Sequence, residues 1–216
     1  MIIDYAGFTR ASNLVHLLQG SALLLLGSAE AYSLKNNGKK YMLAVSLLVA
    51  VLGAAMFVAV LALPGGWDFS RLAQALQARR GFYLFISFAC LYGAAGLSRF
   101  MHELSDRGGS GWMALFLALL ASSGALYFLM AWRVNEEAWR QVLAWHSAIG
   151  LTLLLAVAAK SAELFLKRRA LQAAWAALLI FAGLQLAAYK EAPGSFAPRL
   201  VTIESSPAAT PARSKP

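Results

Sequence analysis

A chain of 216 residues that is 60% hydrophobic and only 13% charged, with a mean hydropathy of +0.61, is too apolar for a water-soluble domain of that size. Its formal net charge of +9 would suit nucleic acid, but the basic residues fall in short clusters between apolar runs: Lys35, Lys39 and Lys40; Arg71, Arg79 and Arg80; Lys167, Arg168 and Arg169. Clusters so placed bracket membrane spans and meet lipid headgroups, which argues against a nucleic-acid binder and for a polytopic integral membrane protein.

The N-terminal MIIDYAGFTR carries Asp4 where a cleavable signal would be positive, so the first apolar run is expected to be retained. Six runs are long enough to cross a hydrocarbon core, at 13–34, 41–63, 82–101, 112–131, 142–166 and 171–189. KNNGKK joins the first two and KRRA the last two, connections short enough to make antiparallel hairpins. The expected fold is all-α, a bundle of six transmembrane helices arranged as three hairpins over residues 1–192.

Between the second and third runs, Pro64, Gly65 and Gly66 stop one helix and Asp68 or Ser70 can cap another. Leu72, Ala73 and Leu76 follow at helical spacing, behind Trp67 and Phe69. This reads as an interfacial helix over 70–80, with a polar loop as the alternative. From Pro193 the sequence loses apolar periodicity and gathers Pro, Ser, Thr and Ala, so 193–216 is read as a flexible tail.

Lysine and arginine are slightly more numerous on the side holding Lys35, Lys39, Lys40, Arg99, Arg107 and Lys167 to Arg169. By the positive-inside rule that side is cytoplasmic and both termini lie outside, in what is expected to be a bacterial inner membrane. Trp67, Trp132, Trp139 and Trp145 fall on the outer side, as an aromatic belt would.

Ionisable groups inside a span are costly and mark where function is to be sought. The first run carries His16, followed four residues later by Gly20; the fifth carries His146, followed four residues later by Gly150. Both histidines sit about one turn inside an odd-numbered span, at matching depth, and each glycine lies on its histidine's face. That arrangement suits a flat macrocycle, with His16 and His146 as the axial ligands of one haem b and Gly20 and Gly150 giving it room. Structural, hydrogen-bonding histidines are the competing reading.

Glu30 and Lys160 each lie fourteen residues beyond their histidine, which pairs them as a buried ion pair. Contact between the first and fifth spans is the first requirement of both pairings. His102 reads as a helix terminus, and Cys90, the only cysteine, as a small core residue. No phosphate loop, nucleophile elbow or HExxH sequence occurs, so no catalytic residue is assigned.

Three functions follow from these residues. The first is a membrane electron carrier with one haem b, exchanging electrons with quinone. The second is a non-catalytic accessory or scaffold subunit of a membrane complex. The third is a proton- or ion-coupled carrier using Glu30, Lys160 and Glu163.

Overall fold

The computed structural model describes residues 5–78, 80–105, 110–192 and 194–197. Asp4, Arg79, Arg107, Pro193 and residues 198–216 of the expected tail lie outside the described residues. Among the described residues there is no strand; seven α-helices form, α1 (Tyr5–Ser33), α2 (Lys39–Ala62), α3 (Phe69–Ala78), α4 (Tyr83–Leu104), α5 (Ser110–Tyr127), α6 (Glu136–Leu166) and α7 (Arg169–Ala188). Five of them, α1, α2, α4, α6 and α7, are long and apolar enough to cross a membrane, α4 being extended by a 3-10 turn at Arg80–Phe82. The sixth apolar helix, α5, has 18 residues and is followed by a 3-10 turn at Met130–Arg133.

The long helices neighbour one another in the order α1, α2, α4, α5, α6, α7 and back to α1, closing a ring. Consequently α7 stands between α1 and α6, and those two do not pack along their lengths, contrary to the helix contact expected of the first and fifth spans. Their side chains meet only across the interior, which is filled by aromatic and aliphatic groups such as Phe85, Phe88, Tyr92 and Tyr127.

Close helix approach depends on glycine at a few places. A Cβ on Gly53 of α2 would lie 2.4 Å from the Gly93 nitrogen of α4, and one on Gly96 would lie 2.4 Å from the Ala50 nitrogen. Side chains there would drive the helices apart, which accounts for the small residues along this seam.

Helix ends follow local chemistry. Asn135 caps α6 by accepting from the Ala138 N–H at 3.1 Å, with Glu136 and Glu137 in the first turn. Lys167, at φ 52°, takes the left-handed conformation that ends α6 before α7 begins.

The segment expected at 70–80 is helical as α3, with Leu72, Ala75 and Leu76 as its buried face. Asp68 caps it, its Oδ1 accepting from the N–H of Ser70 at 2.7 Å. The Ser70 hydroxyl and the Ser70 and Arg71 amides hold this exposed carboxyl below its ordinary value of 3.8. A depressed carboxylate stabilises the fold above its unfolded pKa and loses that contribution as pH falls through the folded one. Asp68→Ala is therefore expected to speed hydrogen exchange at the Ser70 and Arg71 amides at neutral pH, while Asp68→Asn keeps the cap and its protection. Equal exchange in Asp68→Ala and the native chain would refute the cap.

Candidate functional site

His16 of α1 and His146 of α6, both fully buried, converge inside the ring with their Nε2 atoms 3.0 Å apart. The rings are 5.1 Å apart between centroids and inclined at 55°. The Tyr189 ring packs edge-on against both, at 4.9 Å from His16 and 4.6 Å from His146. Phe85 flanks His16 at 5.8 Å and Tyr127 flanks His146 at 6.1 Å. These apolar walls remove bulk water from the pair and strengthen whatever electrostatic contact is made there.

The His146 orientation follows from its own helix. Its Nδ1 lies 2.8 Å from the carbonyl oxygen of Val142, one turn back. A carbonyl only accepts, so Nδ1 carries the hydrogen and, in the neutral ring, Nε2 presents a lone pair to His16. A metal-binding imidazole is fixed in this way, by giving its other N–H to a carbonyl.

Two charged groups that the sequence reading did not assign to the site, Arg133 and Glu191, complete it. Arg133, from the 3-10 turn after α5, is 1% exposed; its guanidinium pairs with the carboxylate of Glu191 and lies 5.1 Å from the Phe85 ring and 5.4 Å from the Phe196 ring. The Arg133 backbone fits because Gly81 faces it; a Cβ there would come within 2.5 Å of the Arg133 Cα. Glu191 follows α7 in the chain and is 6% exposed. One of its oxygens accepts from the Ser12 hydroxyl at 2.8 Å and the other from the Tyr189 hydroxyl at 3.0 Å. Its backbone N–H donates to the Asn13 side chain at 2.9 Å. The Tyr189 hydroxyl is thus the donor to this carboxylate.

The segment after α7 thus enters the mouth of the ring. Phe196 is fully buried against Phe8 and Phe82, the Asn135 N–H donates to the Ser195 carbonyl at 2.9 Å, and the Asn135 side chain donates to the Gly194 carbonyl at 3.0 Å. Residues 194–197, placed in the flexible tail by composition, are packed here instead. The reason is Phe196, an apolar anchor in an otherwise polar stretch.

Gly20 and Gly150 do not line the histidine pair. A Cβ on Gly20 would lie 2.7 Å from the Gly183 carbonyl oxygen of α7, and one on Gly150 would lie 2.6 Å from the Gly124 carbonyl oxygen of α5. Each glycine brings its helix against a neighbour in the ring, so their expected role as space for a macrocycle is replaced by one in helix packing.

Glu30 and Lys160 are likewise not brought together. Glu30, 2% exposed, receives a 3.0 Å bond from Arg99 of α4, whose same nitrogen lies 3.0 Å from Glu103. Lys160 instead reaches Glu163 on its own helix at 3.0 Å. Equal depth does not fix direction around a helix, and with α7 between α1 and α6 the two charges find nearer partners. His102 lies half-buried in the last turn of α4, and Cys90 is exposed on the outer face of that helix instead of in the core.

The donor chemistry of the pair fits a metal that takes two neutral imidazoles, as haem iron does. At 3.0 Å the two nitrogens are in direct contact with Tyr189 against both rings, so His16 and His146 would have to part to hold a metal between them. Among the described residues no group of three or more His, Cys, Asp or Glu side chains could hold a metal ion unaided. No known protein family, curated protein or solved structure matches this chain.

Proposed function

We propose that the chain is an integral membrane electron-transfer protein in which His16 and His146 hold one b-type haem near the outer face of a six-span bundle of three hairpins. α5, at 18 residues or about 27 Å, is the sixth span. The single observation carrying the proposal is the convergence of two buried imidazoles from the helices on either side of α7, His146 already offering a lone pair. When bound, haem supplies a one-electron couple that the side chains lack. The chain's own part is to present the two imidazoles, keep water out with Phe85, Tyr127 and Tyr189, and balance charge with Arg133 and Glu191. A quinone in the bilayer is the proposed exchange partner, and the slight basic excess favours both termini outside a bacterial inner membrane.

The 3.0 Å separation favours a second reading, in which one imidazole simply donates to the other and ties the ring together within an accessory subunit. Purification of the full chain from cells supplied with haem precursor, followed by a reduced-minus-oxidised spectrum, separates the two. Electron transfer predicts a haem b α-band that His16→Ala and His146→Ala each abolish. A colourless native chain from haem-replete cells, folded by size-exclusion chromatography, would overturn it.

A further inference from the structure

At the end of the bundle opposite the histidine pair, two basic connections meet. α7 packs against α1 along its length and α2 follows α1, so the starts of α7 and α2 flank the end of α1. Arg169, the first residue of α7, fastens this corner by donating from Nη2 to the Leu34 carbonyl at 2.7 Å, a contact between residues 135 apart in the chain. Lys35 and Lys40 come to the corner with the first connection, Lys167 and Arg168 with the last. All four, and Arg169 with them, are exposed.

The chain sets no anion against these cations. Helix N-termini favour acid in the first turn, yet α2 and α7 begin with none and no side chain caps either. The carboxylates described at this end, Glu30, Glu103 and Glu163, are engaged with Arg99 and Lys160. Exposed apolar groups adjoin the cations in sequence: Tyr32 and Tyr41, their rings 5.6 Å apart, at the first connection, and Phe165, 86% exposed, with Leu166 at the last. Cations beside aromatic and aliphatic groups match a membrane interface, where phosphates lie level with the one and glycerol and upper acyl chains with the other. A soluble acidic partner would use the cations and leave Phe165 without a role.

We propose that this corner binds the headgroup of an anionic phospholipid, the five cations meeting its phosphate and Tyr32, Tyr41 and Phe165 lying against the glycerol and upper acyl chains. Any basic loop is drawn to an anionic leaflet. Here two loops, held together by Arg169, present their charge to one headgroup, which thereby ties the first hairpin to the last. Neither the histidine pair nor haem takes part.

The test uses the full chain in neutral detergent, with phosphatidylglycerol or phosphatidylcholine added and bound lipid counted by native mass spectrometry. Phosphatidylglycerol is expected to bind in preference and to be released as salt screens the cations. These two measurements need no variant. Lys35→Gln, Lys40→Gln and Arg168→Gln together are expected to weaken its binding on the order of a hundredfold, since each cation near the surface contributes roughly fivefold. Arg71→Gln, Arg80→Gln and Arg140→Gln together, which remove exposed cations from the other end of the bundle, are expected to leave it unchanged. Equal binding of the two lipids overturns the proposal, as does a phosphatidylglycerol preference that survives high salt. So does an equal loss in both triple variants, or a corner triple that binds like the native chain. Inorganic phosphate that displaces the lipid at equal affinity would make the corner a site for a free anion and overturn its reading as a lipid site.

Discussion

Arg99→Met is expected to destabilise the folded protein by about 3–5 kcal/mol, the cost of leaving a buried charge without its partner. Arg99 is 5% exposed, and one of its nitrogens serves Glu30 and Glu103 at 3.0 Å each, while its guanidinium sits 5.7 Å from the Phe116 ring. Removing it takes from both carboxylates the cation they share, and Glu30 is only 2% exposed. Glu30→Gln is milder, because Arg99 keeps Glu103. Denaturant unfolding in detergent, run as a double-mutant cycle, is the measurement. Coupling of more than about 1 kcal/mol is expected between Glu30 and Arg99 and none between Glu30 and Lys160. Coupling of Glu30 to Lys160 in its place would show that the two charges meet across the ring after all.

Gly20→Val is expected to be nearly as damaging, at about 3 kcal/mol, the upper end for overpacking a close contact. The added Cβ would lie 2.7 Å from the Gly183 oxygen and 2.9 Å from the Ala187 nitrogen, and backbone cannot rotate away as a side chain would. The contact is reciprocal, since a Cβ on Gly183 would meet the Gly20 oxygen at 2.8 Å. Parting α1 from α7 would also draw Tyr189 and Glu191 away from His16 and Ser12. Gly111→Ala, where a Cβ meets nothing within 4 Å, is the control. The yield of monodisperse protein on size-exclusion chromatography reads the effect; a Gly20→Val chain as stable as that control would contradict the packing.

The histidine pair was legible because depth in a membrane follows from counting residues. His16 and His146 sit at equal depth on parallel helices, and both are too costly in a span to go unpartnered. The same count misled for Glu30 and Lys160, because depth carries no information about azimuth or about which helix intervenes. Arg99, Arg133 and Glu191 were missed for a different reason. Each falls at the end of an apolar run, where a charge is ordinarily read as solvated, yet arginine has a stem long enough to bring its head inward as readily as outward. Glu191 had a faint signal in Phe196, an aromatic residue five positions on that could anchor the chain. The capped helix α3 was readable because Asp68, the preceding glycines and the spacing of Leu72 and Leu76 agree.

Placing α7 between α1 and α6, with Glu191 arriving after it, has a consequence for biosynthesis. Ser12 and His16 belong to α1, His146 is made only after the three further apolar helices α2, α4 and α5, and Glu191 follows α7. Until then the Ser12 hydroxyl and the His16 imidazole lack the side-chain partners they have in the finished bundle. The polar centre is therefore complete only once α7 and Glu191 are in place; a chain ending after α6 would carry both histidines without the carboxylate that bonds Ser12.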